Sequence, residues 1–171
     1  MLKLSQTGTT IGVENDHFEA AIHTEGYVSG VAGGTFVDKK TGTSDHSFGL
    51  DIVDFLLEPG VDDGAAGEDT YRMDAMLHGR IPKRYVELPQ ICTRAKRVAA
   101  KVFRGPGWVA VRQWYRYRQA TRGRKPGSLW EQLLLFPEDT RYFFAMDQIT
   151  SANAVDALTL RIDLPGHLKH Q

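Results

Sequence analysis

Alternation of apolar and polar residues is the dominant pattern along this chain, and it predicts strands almost throughout. From Asp16 to Thr24 the apolar Phe18, Ala20 and Ile22 alternate with polar neighbours, which is the period of a half-buried strand. Further strand-like segments cover 27–31, 34–38, 48–57, 91–103, 108–119, 129–136, 141–149 and 157–164. No segment longer than two turns has a helical period. About ten antiparallel strands in a sandwich or barrel are expected, and we predict an all-β, antiparallel β-sandwich with few or no helices.

Length and composition predict a single domain over residues 1–171, which could also be the N-terminal portion of a longer protein. No apolar run reaches the roughly 20 residues that span a bilayer, so we expect no membrane contact. Cys92 has no cysteine partner for a disulfide. Since the first residues lack a signal-peptide pattern, the cytoplasm is the default expectation, and a missing leader would make it periplasmic or secreted.

Charge is balanced overall but divided along the chain. The net charge is −9 over residues 1–80, +12 over 81–130 and −3 over 131–171. This division has two interpretations. The middle segment binds an anionic partner, or basic and acidic strands lie side by side and neutralise each other within the fold.

A hairpin centred on Arg104-Gly105-Pro106-Gly107 organises the basic segment. We predict that Phe103 faces Trp108 across this turn. One face of the ribbon then carries the apolar residues Val98, Ala100, Val102, Val109, Val111, Tyr115 and Tyr117. The other carries Arg97, Lys101, Phe103, Trp108, Arg112, Trp114, Arg116 and Arg118. A one-residue slip would exchange the two faces, so the pattern determines which face is buried.

The cationic and aromatic face suits an acidic glycan, because aromatic rings stack on sugar rings and guanidinium groups bind carboxylate or sulfate. The predicted substrate-binding residues are Arg97, Trp108, Arg112, Trp114 and Arg116. The same chemistry fits single-stranded nucleic acid, but the zero overall charge and the acidic first segment disfavour it. In the competing interpretation, Trp114 packs under a second sheet and the arginines surround it.

Three histidines are the candidate catalytic residues: His17, His23 and His78. His17 and His23 lie six residues apart on one predicted strand, roughly 20 Å, so they cannot bind one ion together. A solvent-facing ion pair of His17 with Glu19 is the alternative interpretation of that strand. We predict no metal site and no cofactor, since no phosphate loop, nucleophile elbow, zinc motif or dinucleotide fingerprint is present.

The first quarter of the chain resembles the opening of galactose-mutarotase-like β-supersandwich domains, which many carbohydrate-active proteins share. The resemblance rests on residues 13–22 (VENDHFEAAI), residues 26–31 (GYVSGV) and residues 37–42 (VDKKTG). These match an Asn-containing strand, a Gly-rich second strand and a D-x-x-T-G hairpin. The resemblance implies a supersandwich fold and carbohydrate as the ligand class. The catalytic His and Glu of the family have no identifiable counterpart here.

Two hypotheses follow for function. In the first, the protein binds or processes an acidic polysaccharide or oligosaccharide, and an enzyme of this kind would be a polysaccharide lyase or glycoside hydrolase. Arg112 and Arg116 would then neutralise a uronate carboxylate while a histidine or tyrosine removes the adjacent proton. In the second, the chain is a non-catalytic glycan-binding, structural or homo-oligomerising β-sandwich module.

Overall fold

The computed structural model describes residues 1–45, 48–59, 70–71, 83–88, 95–155 and 157–163, and within these ranges the protein is all-β and contains no helix. The prediction of an antiparallel β-sandwich is confirmed. The strands are β1 (Lys3–Thr7), β2 (Thr10–Glu14), β3 (Phe18–His23), β4 (Val31–Ala32), β5 (Val37–Asp38), β6 (Gly49–Leu50), β7 (Ile52–Pro59), β8 (Thr70–Tyr71), β9 (Lys83–Tyr85), β10 (Glu87–Leu88), β11 (Ala99–Gly105), β12 (Trp108–Arg116), β13 (Gln119–Ala120), β14 (Leu129–Pro137), β15 (Phe144–Thr150) and β16 (Thr159–Asp163). In the described part of the chain, no helix is long and apolar enough to span a membrane.

The largest core lies between two four-stranded antiparallel sheets. One sheet has the order β1-β2-β3-β5 and the other, here called the central sheet, has the order β11-β12-β14-β15. Alternate residues of each strand face inward, as the period-two pattern requires. The buried residues of this cluster are Ile11, Val13, Phe18, Ala20, Ile22, Val31, Val109, Val111, Leu134 and Phe136.

A second apolar cluster covers the other end of the central sheet. A sheet of order β16-β7-β9-β8 contributes to this region, and the pairs β4-β6 and β10-β13 form two small sheets. The buried members of the cluster are Val28, Val53, Val86, Val98, Tyr117 and Trp130. The inner face of the central sheet therefore packs against two apolar clusters.

The amino-terminal hairpin β1-β2 was not predicted. Its polar strand β1 is mostly exposed, whereas β2 alternates between half-buried and buried residues. Thr7 pairs with Thr10, and Gly8 in the intervening turn has a φ of 57°. The signal was present in the alternation of Ile11 and Val13 with polar neighbours, but β1 has only Leu4 to mark its inner face.

Two predicted strands are much shorter in the structure. Of residues 27–31 only Val31 belongs to a strand, at the start of Val31–Ala32, and of residues 34–38 only Val37–Asp38 does. Ser29 and Gly30 have φ values of 80° and 60°, outside the range of a strand. A Cβ on Gly30 would overlap the backbone oxygens of Leu50 and Asp51, so glycine is required at this crossing.

The predicted strand over 48–57 is divided at Asp51, whose φ of 58° lies in the left-handed region. Aspartate tolerates this conformation better than most side chains. Alternation of apolar and polar residues does not report the backbone conformation, so it did not predict the break. Residues 91–94 of the strand predicted at 91–103 lie outside the described residues; β11 begins at Ala99, after an isolated bridge between Arg97 and Glu25. In the segment 108–119, β12 ends at Arg116 and Gln119 belongs to β13. The strand predicted at 141–149 begins at Phe144.

Candidate functional site

The hairpin β11-β12 forms, but its register differs from the predicted one. Gly105 pairs with Trp108 and Phe103 pairs with Ala110, so the predicted pairing of Phe103 with Trp108 is wrong by two residues. The loop consists of Pro106 and Gly107 alone, and Gly107 has a φ of 74°. Proline followed by a left-handed glycine fits the two central positions of a type II turn, so these two residues can close the loop.

The shift by two residues preserves the assignment of faces. Val98, Val109, Val111 and Tyr117 are buried as predicted. Ala100, Val102 and Tyr115 are half-buried and pack against the two cores. Arg112, Trp114 and Arg116 lie on the opposite, outer face of β12. Trp114 is half-buried on that face rather than sealed between two sheets.

A groove of 970 Å³ lies beside β12, the edge strand β11 and the turn of the β1-β2 hairpin, and residues from both faces of the β11-β12 ribbon line it. Four of the five predicted substrate-binding residues line it, namely Arg97, Arg112, Trp114 and Arg116. The other lining residues are Gln6, Gly8, Thr9, Thr10, Ile11, Thr24, Ala95, Val98, Ala99, Ala100, Tyr115, Arg118 and Leu129. Within the described residues no aspartate or glutamate lines this groove, which we call the cationic groove.

Two arginines of the cationic groove are held by neighbouring groups. The Arg112 guanidinium forms an ion pair with Glu131 on β14 and lies 5.0 Å from the centre of the Trp114 ring. Arg116 donates a hydrogen bond of 2.6 Å to the Gly127 carbonyl. These contacts orient both guanidinium groups, and the indole is covered on one side by a cation.

The other two arginines are less constrained. The side chain of Arg97 is 78% exposed and lies 3.3 Å from a Glu25 carboxylate oxygen. Arg118 is exposed, and no carboxylate in the described ranges pairs with it. Sequence reasoning placed Arg118 on the cationic face without assigning it to the site. Its position, two residues beyond Arg116 on the same alternating pattern, was the available signal.

Tyr115 and several threonine hydroxyls add uncharged polar groups to the groove wall. Burial raises the pKa of the Tyr115 phenol, and the nearby Arg118 only partly opposes that rise. Tyr115 therefore stays protonated at neutral pH and can donate a hydrogen bond. Thr9, Thr10 and Thr24 come from elements distant in sequence, and the unpredicted amino-terminal hairpin supplies the first two.

Trp108, the fifth predicted residue, does not line the cationic groove. It lies at the opposite end of β12, beside the Pro106-Gly107 turn, and is 37% exposed. Its indole covers Gly105, since a Cβ on that glycine would overlap the ring. Trp108 therefore lies apart from the other four predicted residues, and its role in binding stays a prediction.

Two of the candidate catalytic histidines, His17 and His23, lie at opposite ends of β3. His17 Nε2 lies 2.8 Å from Asp139 Oδ1, so its partner is Asp139 rather than the predicted Glu19. His23 ends β3 and pairs with Thr10, next to the groove-lining Thr24, but is not itself a lining residue. His78 and Cys92 lie outside the described residues.

Several basic and acidic residues from different parts of the chain form ion pairs within the fold. Arg97 with Glu25, Arg141 with Asp38, and Arg84 and Arg124 with Glu58 pair residues from different charge segments. Neutralisation within the fold therefore accounts for part of the charge division, and binding of an anionic partner stays a prediction. In the described ranges, no group of three or more His, Cys, Asp or Glu side chains could hold a metal ion.

Comparison with known proteins found no protein-family model, no curated protein and no solved structure that matches this chain.

Proposed function

We propose that this protein binds an acidic polysaccharide or oligosaccharide in the cationic groove. The observation that carries the proposal is the convergence of four arginines and an indole on one concavity that no described carboxylate lines. Uronate carboxylates or sulfates would pair with the guanidinium groups. A sugar ring would lie against the Trp114 indole, and the threonine hydroxyls would bind sugar hydroxyls.

Binding without cleavage is the form of this proposal that the groove supports best. A lyase requires a base beside the cation that neutralises the uronate. Among the described residues, Tyr115 is a titratable side chain near Arg118. Its raised pKa keeps the phenol protonated at neutral pH, which makes it a weak candidate for the base. Cleavage is a second candidate, because Tyr115 and Arg118 lie near each other in the same groove. The galactose-mutarotase-like assignment stays a prediction.

Affinity electrophoresis through gels containing a polyuronate, a sulfated polysaccharide or an uncharged glucan tests the proposal. We expect retardation by at least one acidic polymer and none by the glucan. Arg118→Gln and Arg97→Gln should each weaken binding about 3- to 10-fold and reduce its salt dependence. Arg104→Gln is the matched control, because Arg104 is an exposed arginine of the same hairpin outside the groove.

Equal retardation of all four proteins would contradict the proposal, as would the absence of retardation. Stronger retention by single-stranded DNA than by any acidic glycan would assign the groove to nucleic acid instead. Appearance of unsaturated uronate ends, followed by ultraviolet absorbance, would select the lyase. Loss of that signal in Tyr115→Phe with binding retained would identify the phenol as the base.

A further inference from the structure

A polar layer crosses the inner face of the central sheet between its two apolar clusters. Gln113 on β12 pairs with Gln132 on β14, and Gln132 pairs with Asp147 on the edge strand β15. Both glutamines are fully buried or nearly so. Asp51, at the break between β6 and β7, is 8% exposed and reaches this layer from the opposite side of the sandwich.

Gln132 joins the two aspartates. Its Oε1 accepts the Gly30 N–H at 2.7 Å, and its Nε2 donates to Asp51 Oδ2 at 2.9 Å and to the Asp51 carbonyl at 3.0 Å. The same nitrogen lies 3.3 and 3.4 Å from the two carboxylate oxygens of Asp147. The Trp130 indole donates to Asp147 Oδ1 at 2.8 Å.

The donors around this pair are uncharged. The groups that act on the two carboxyls are each other, the Gln132 amide and the Trp130 indole. On neighbouring β12, the Gln113 amide donates instead to the His23 carbonyl of β3. No described lysine or arginine acts on either carboxyl. Two ionised carboxylates would repel each other here, whereas one retained proton supplies the O–H donor that joins them.

We propose that Asp51 and Asp147 share one proton and form a pH-sensitive latch that ties the β6-β7 junction to the edge strand β15. In the protonated form, a hydrogen bond between the carboxyl of one aspartate and the carboxylate of the other joins Asp51 to Asp147. When that proton is lost, two adjacent negative charges remain with only neutral donors around them, and the contact between the junction and β15 weakens.

The direction of the pH effect follows from the environment of the pair. Burial raises the pKa of Asp51, and the charge of Asp147 and its hydrogen bond raise it further, to about 7. Burial also raises the pKa of Asp147, against the hydrogen bonds of Trp130, Gln132 and Asp51. Between about pH 4 and pH 7 the unfolded aspartate has lost its proton while the folded pair keeps it. Stability therefore falls as pH rises through this range and levels off above it.

Equilibrium unfolding of the wild-type chain and of Asp51→Asn between pH 5 and pH 8 tests the latch. Asparagine tolerates the left-handed backbone at position 51, and its amide donates to Asp147 as a protonated carboxyl does. We expect the wild-type unfolding constant to rise by up to tenfold per pH unit relative to the variant, up to about pH 7. The variant should match the wild type at pH 5 and exceed its stability at pH 8.

Asp16→Asn is the matched control, because Asp16 is exposed and pairs with the amino terminus. It should keep the wild-type pH dependence between pH 5 and pH 7, below the range in which the amino terminus beside Asp16 loses its proton. If Asp51→Asn does not fold, Asp147→Asn provides the same comparison, and a carboxyl-carbon NMR titration of the wild type should show an aspartate with a midpoint near 7. Parallel pH curves for wild type and variant, or aspartate carbons that all titrate below about pH 5, would overturn the proposal.

Discussion

The two ends of β12 carry the same residue type in different surroundings. Trp114 lies in the cationic groove, half-buried, with the Arg112 guanidinium over its ring. Trp108 lies six residues away on the same face, beside the hairpin turn, with its indole over Gly105. One tryptophan borders a concavity with four arginines, and the other covers a turn.

The difference comes from what lies across from each end of the strand. The turn of the β1-β2 hairpin and Thr24 line the same groove as Trp114. The Trp108 end instead borders an open sheet face with the exposed rings of Phe103 and Phe144. Alternation along one strand therefore identifies a face, but distant segments decide where on that face a concave site can form.

The largest effect should come from Trp114→Ala. If a sugar ring stacks on this indole, the substitution should weaken binding of the acidic polymer about tenfold or more, in keeping with aromatic stacking energies of about 1–3 kcal/mol. Affinity electrophoresis in the polymer that retards the wild type is the measurement.

Trp108→Ala is the matched control for Trp114→Ala. It should leave affinity unchanged while lowering the free energy of unfolding by about 1–2 kcal/mol, because it removes apolar surface buried over Gly105. Equal losses of affinity in the two variants would contradict the distinction drawn here, in which Trp114 contacts the ligand and Trp108 does not.

A smaller effect, of about 1 kcal/mol, is expected from Gly105→Ala. The added methyl group would occupy the space of the Trp108 indole and push the ring into solvent. Chemical denaturation should show the loss of stability, and tryptophan fluorescence should move to longer wavelength. Gly107 needs its left-handed backbone, so Gly105 is the better probe of the contact. Unchanged fluorescence would indicate that the indole does not rest on this glycine.

Sequence reasoning predicted the fold class and the buried face of the hairpin because both depend on local alternation. The exact register was missed, since a two-residue and a four-residue loop around Pro106 and Gly107 preserve the same faces. The break at Asp51 was missed because a left-handed aspartate leaves no pattern in hydrophobicity.

The candidate site was predictable only as a list of cationic and aromatic residues. Its concavity depends on Thr9 and Thr10, which come from a hairpin whose first strand is mostly exposed and lacks a strong apolar pattern. The Asp51–Asp147 pair joins positions 96 residues apart in the sequence, and no local signal connects them. Contacts between the layers of a sandwich join residues that are distant in sequence, so a local sequence pattern cannot predict them.

The smallest expected effect comes from removing the ion pair between Glu131 and Arg112. Glu131 pairs with this arginine and so competes with any carboxylate or sulfate that enters the groove. Glu131→Gln removes that competing charge while keeping an oxygen that accepts a hydrogen bond. Ion pairs at a protein surface are worth about 0.2–1 kcal/mol, so loss of this partly exposed pair should raise affinity for the acidic polymer about two- to threefold. Glu138→Gln makes the same charge change near the hairpin turn and should leave affinity unaltered. A fall in affinity for Glu131→Gln would mean that Glu131 positions Arg112 for binding rather than competing with the ligand.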